Sequence, residues 1–119
     1  MKTKDIIDLD YRDKKNKQII QKALGRIKPL EKYADEDEIP FEVIEKLLHQ
    51  ICSKYQVWLQ SITHDPVSGD GYDIWRCGIC DERTLTHLIT IHSMCLYELF
   101  AKVVIYLWSE IKNEKLKRR

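Results

Sequence analysis

The chain has 119 residues, 44% of them hydrophobic and 33% charged, with four glycines, three prolines and a net charge of +1. This length suits one domain with a core large enough to fold alone, and so few glycines and prolines disfavour a turn-dense all-β chain. The net charge identifies no partner, but it is segregated: residues 1–34 sum to +5, 35–45 to −6, 46–110 to −2 and the tail from 111 to +4.

The N-terminus, MKTKDIIDLDYRDKKNK, lacks the apolar core of a secretory signal. The four cysteines are therefore read as reduced thiols of a cytoplasmic protein rather than as a disulfide framework. Residues 1–12 read as a loose end, apart from the cluster Ile6, Ile7 and Leu9. A first helix is expected over 13–33, with Ile19, Ile20, Ala23, Leu24, Ile27 and Leu30 at helical spacing. Gly25 weakens it, and Pro29 kinks it or ends it at Lys28. The acidic run beginning at 35–38 is too polar to bury and reads as a linker.

A second helix is expected over 40–62. Pro40 suits its first turn, and Glu42 and Glu45 suit its positive end. Val43, Ile44, Leu47, Leu48, Ile51, Cys52, Tyr55, Trp58, Leu59 and Ile62 recur every three or four residues, with polar side chains between them. The stretch 64–73, HDPVSGDGYD, carries three turn dipeptides and reads as a loop.

A third helix is expected over 81–113, capped by Asp81 and ending in the basic tail, residues 114–119 of which read as loose. Its segment 85–108, LTHLITIHSMCLYELFAKVVIYLW, is apolar around most of its circumference. Such a helix must be wrapped by something. It is long enough to span a bilayer, but Glu98 and Lys102 near its centre are costly in lipid and stand four apart, as a helical ion pair does. A buried helix in a protein that does not enter membranes is the reading, with His87, Glu98, Lys102 and Ser109 on one thin polar line. The remaining chain is too short to wrap it fully, so a homodimer with this helix at its interface is expected.

Cys77-Gly-Ile-Cys80 is the local pattern with a mechanism. Two thiolates at this spacing can take two corners of a tetrahedral zinc site, with His64 and His87 as the remaining ligands. His92 points about 140° from His87 on a straight helix, so both cannot serve one ion. The run Trp75-Arg-Cys-Gly-Ile-Cys also resembles the thioredoxin active site, which implies a lowered pKa for Cys77 at a helix start and Cys80 as the resolving thiol. It departs from that pattern in the intervening arginine, the missing proline and the absence of a βαβ context. Arg83 and His87 resemble the motif of the helical HEPN ribonucleases at shorter spacing, implying RNA cleavage. Glu42 and Glu45 have no matching acidic pair on the third helix, so they read as solvated charges.

Lys14, Lys15, Lys17, Lys22, Arg26 and Lys28, with Lys115, Lys117, Arg118 and Arg119, make nucleic acid an alternative partner. No complete catalytic constellation is present. The expectation is thus a single all-α domain over 1–119, a small non-enzymatic protein-interaction module needing no cofactor, with zinc as the alternative. Its binding surface is placed on the segment from His64 to Cys80, with Tyr72, Asp73, Trp75 and Arg76 as contacts, because an aromatic and an arginine on a turn-rich segment have the composition of a hot spot.

Overall fold

The computed structural model describes residues 2–65 and 74–116. The elements run α1 (Thr3–Ile7), α2 (Lys14–Gly25), a 3-10 helix (Lys28–Tyr33), α3 (Phe41–Tyr55), β1 (Val57–Asp65), β2 (Ile74–Asp81), β3 (Thr86–Ser93) and α4 (Leu96–Lys112). The all-α bundle is therefore corrected to a mixed architecture. Among the described residues, three antiparallel strands in the order β1-β2-β3 form a meander, and helices pack against one of its faces. Helices segregated to one side of an antiparallel sheet bury both apolar surfaces at once.

Each boundary has a local cause. The Asp13 carboxylate caps α2, accepting from the backbone N–H of Lys15 at 2.8 Å and of Asn16 at 3.3 Å, so two of the helix's orphan donors are satisfied. The expected helix over 13–33 divides at Arg26 and Ile27, and Pro29 opens the 3-10 helix that follows. The two pieces fold closely together. A Cβ at Gly25 would stand 3.1 Å from Ala34 Cβ, so the smallest residue permits the approach.

The expected helix over 40–62 stops at Tyr55, because Gln56 adopts the left-handed conformation (φ 52°) and its N–H returns to the Cys52 carbonyl. Beyond it the pattern changes period. Val57 is buried, Trp58 exposed and Leu59 half-buried, as alternation across a strand requires.

The expected helix over 81–113 is likewise a turn, a strand and a shorter helix. In β3, Ile91 and Ser93 are buried while Thr90 and His92 are exposed. α4 begins only after Cys95, whose sulfur accepts from Glu98 N–H at 3.4 Å. Its far end closes with the N–H of Lys115 bonding the Glu110 carbonyl at 2.9 Å and that of Glu114 bonding the Ile111 carbonyl at 3.1 Å, with Glu114 left-handed. This Schellman arrangement satisfies two terminal carbonyls and returns Leu116 to the core.

α4 is the central element, buried continuously from Glu98 to Ile105 and again at Leu107. α1, α2, α3, β2 and β3 all pack on it. The covering that the sequence reading sought in a second copy is supplied within the chain. Residues 85–93 have left the helix for the sheet, and the N-terminal segment contributes α1, with Ile7 and Tyr11 buried. Among the described residues no helix is long and apolar enough to cross a membrane.

Candidate functional site

The segment from His64 to Cys80 is mostly paired strand. Tyr72 and Asp73 lie outside the described residues. Trp75 stands opposite His64 in the β1–β2 ladder, and the two rings stack with centroids 4.4 Å apart and planes at 24°. Trp75 is half-buried against the core cluster, so much of its surface serves packing. Arg76 points to the opposite face, exposed, with Thr63 and His92 as its cross-strand neighbours.

Cys77 and Cys80 sit on a strand, not before a helix. Positions three apart on a strand face opposite ways. Cys77 enters the core opposite Ile91, while the Cys80 thiol lies 3.3 Å from Gln60 Oε1 on the other face, where the register sets Cys80 beside His87. His64 pairs further along, at Trp75. The four expected zinc ligands are thus divided between the two faces, and the described residues hold no group of three or more His, Cys, Asp or Glu placed to share a metal. The helix start invoked for a lowered Cys77 pKa is missing. Burial, with Cys52 nearby as a lesser cause, instead pushes the Cys77 thiol up to about 11.

The ribonuclease-like spacing dissolves in the same way. Arg83 lies in the β2–β3 turn, with its Nε 3.7 Å from Asp81 Oδ1, and His87 lies on β3, where its Nε2 shares a hydrogen bond with Thr90 Oγ1 at 3.1 Å. Neither is in a helix.

The sheet creates a surface the sequence reading missed. Its helix-free face carries Trp58, Gln60, Thr63, Arg76, His87, Thr90 and His92, all exposed. Trp58 pairs with Cys80, which pairs with His87, so the indole stands at the end of the sheet nearest the β2–β3 turn. At that turn Leu85 is 76% exposed and left-handed (φ 58°), while Trp58 is 48% exposed. A β-turn needs no leucine there, and a left-handed non-glycine residue costs about 1–2 kcal/mol. Strain of this kind points from the outlier toward a use for the side chain. The signal was present as Thr84-Leu85-Thr86 and Trp58-Leu59-Gln60, but it surfaces only once both segments are read as strand and turn.

At the opposite end of the sheet, a buried ion pair ties the N-terminal segment to α4. Glu98 Oε1 receives Lys102 Nζ at 2.7 Å and Tyr11 N–H at 3.1 Å, and Oε2 receives Met94 N–H at 3.1 Å. Lys102 also donates to the Leu9 carbonyl at 2.7 Å. The pair foreseen from the sequence exists, but as a buried staple rather than part of a solvent-facing stripe.

Compared with known proteins, the chain matches no family model, no curated protein and no solved structure.

Proposed function

We propose that the chain is a non-enzymatic protein-binding module whose contact surface is the turn-proximal end of the helix-free sheet face, anchored by Trp58 and Leu85. The single observation that carries this reading is the exposed, left-handed Leu85 in the turn at the same end of the sheet as the exposed Trp58. An aromatic and an aliphatic anchor, ringed by the polar Gln60, His87 and Thr90, have the make-up of a hot spot with its rim.

Nucleic acid has less support as the partner. The exposed cations of α2 lie on a helix that packs against α4 and the 3-10 helix rather than on the Trp58 face, whose cations among the described residues are Arg76 and, in the adjoining turn, Arg83. The four cysteines stand as free thiols, in keeping with a reducing compartment such as the cytoplasm. A second copy of the chain is the alternative occupant of the surface, although α4, the helix expected at a homodimer interface, is covered by its own chain.

The test compares tagged wild-type protein with a Trp58→Ala/Leu85→Gly variant. Proteins retained from native extract by the wild type are expected to fall by about tenfold or more with the variant, the loss of roughly one well-buried anchor. Sedimentation of both forms detects a self-associated species lost in the variant. Retention of the same proteins and the same mass by both forms overturns the reading.

A further inference from the structure

A groove of about 320 Å³ opens where α1, α2 and α4 meet, a volume within the range of small-molecule sites. Each helix turns one face to it. Thr3 and Ile6 come from α1, Ala23, Arg26 and Ile27 from the end of α2, and positions 105, 108, 109 and 112 from α4. These are the three- and four-residue spacings of neighbours on a helix surface. The floor is apolar: Ile27 and Ile105 are buried, and Ile6, Ala23 and Trp108 lie half-buried with them.

The charged residues of the lining are Arg26 and Lys112, both exposed, and no carboxylate lines it. Neither side chain makes an ion pair or hydrogen bond among the described residues. Two other grooves mix the signs: Asp8, Asp10 and Glu98 line the one at the end of the sheet, and Glu42 lies with Lys32 and Lys46 in the one beside α3.

Helix ends account for part of this positive charge. Arg26 is the C-cap residue of α2 and Lys112 the last residue of α4, and a helix C-terminus carries roughly half a negative charge that a cation offsets. Two full charges against two halves leave roughly one positive charge at the groove. A cation is repelled by it, and a neutral molecule leaves it unmatched. A single carboxylate matches it, and the apolar floor accepts the chain behind that carboxylate. Thr3 and Ser109 add hydroxyl donors to the same lining.

We propose that this groove binds a small straight-chain monocarboxylate, its chain on Ile6, Ala23, Ile27, Ile105 and Trp108 and its carboxylate held by Arg26 and Lys112. The site shares no residue with the Trp58/Leu85 surface and does not rest on that reading.

The test titrates isotope-labelled full-length protein with butanoate, hexanoate and octanoate up to about 10 mM, a range that captures millimolar affinity. Octan-1-ol and octylamine serve as neutral and cationic controls. Octanoate is expected to give saturable amide shifts centred on 3–6, 23–27 and 105–113, with affinity rising about two- to fourfold per methylene along the series. The alcohol binds about fivefold more weakly, since exposed ion pairs are each of modest strength, and the amine more weakly still. Arg26→Gln/Lys112→Gln, at exposed positions, removes the preference for octanoate over octan-1-ol. Ala23→Leu keeps both cations and helix propensity but fills the groove, and is expected to weaken octanoate about tenfold without lowering Tm. Trp58→Ala and Lys32→Gln/Lys46→Gln leave all of this unchanged. Absence of saturable shifts, affinity independent of chain length, equal binding of the alcohol, or full affinity in both Ala23→Leu and Arg26→Gln/Lys112→Gln overturns the proposal.

Discussion

Gln21 shows how one polar side chain fixes the packing of three segments. Its Nε2 donates to Tyr11 Oη at 3.0 Å and to Tyr97 Oη at 2.8 Å, and its Oε1 accepts Ile39 N–H at 3.0 Å. Burial, more than the other influences on it, pushes the Tyr97 hydroxyl up to about 12, so the ring acts as a neutral donor to the Ile39 carbonyl. Gln21→Leu keeps the volume and strands the Ile39 N–H. It is expected to cost about 1–3 kcal/mol in urea unfolding, and a change within ~0.5 kcal/mol shows the network to be dispensable. Leu85 presents the opposite case. Leu85→Gly relieves the left-handed strain and is expected to leave Tm unchanged or raise it by up to about 4 °C while weakening partner capture. A fall in Tm means the leucine serves the fold. None of these roles is legible in the sequence, where Gln21 is a polar residue on a lysine-rich helix and Leu85 is one more apolar letter.

At the scale of the element, α4 and β3 show where periodicity informs and where it stops. Glu98 and Lys102, one helical turn apart, were readable as a pair because spacing on a helix is local geometry. Their burial, to 1% and 3% exposure, is decided by what packs over them. Lys102→Met leaves the Glu98 carboxylate buried with two backbone donors but no cation, at an expected cost of about 3–5 kcal/mol, read by denaturant midpoint at unchanged m-value. A loss under ~1 kcal/mol would falsify the staple. Replacing both partners by apolar residues is not expected to restore stability, because Tyr11 N–H, Met94 N–H and the Leu9 carbonyl then lose their partners as well. The helical spacing drawn through 85–108 failed for a related reason. An apolar run with threonines and isoleucines satisfies a strand as readily as a helix, and the pairing of β3 with β2 exists only between segments. The second helix overran for the same reason: Trp58, Leu59 and Ile62 fit both periods, and the left-handed Gln56 that separates helix from strand carries no compositional mark.

Over the whole molecule, the thiols set an alkaline limit. Burial pushes both Cys52 and Cys77 up to about 11, while the unfolded thiols ionise near 8.5. The folded form therefore holds these protons more tightly, and stability is fully present below pH ~8.5 and falls as pH rises from there toward about 11. Cys52→Ala/Cys77→Ala is expected to flatten that decline, and at pH 8 the buried Cys77 does not label with a disulfide reagent until the protein unfolds. Rapid labelling of Cys77 in the native state contradicts this. Local signals determined by themselves the break near Pro29, the start of α3, the buried character of that part of the 85–108 run which α4 retains and the Glu98–Lys102 spacing, since each depends on residues within a turn or two of one another. Only the tertiary structure decided that a sheet exists, that Cys77 and Cys80 part to opposite faces, that the central helix is wrapped by its own chain, that Trp58 and Leu85 stand at one end of the meander, and that α1, α2 and α4 frame the Trp108 groove. Strand pairing, burial and cavity formation are contacts between residues distant in sequence, and no local pattern in this chain encodes which of them meet.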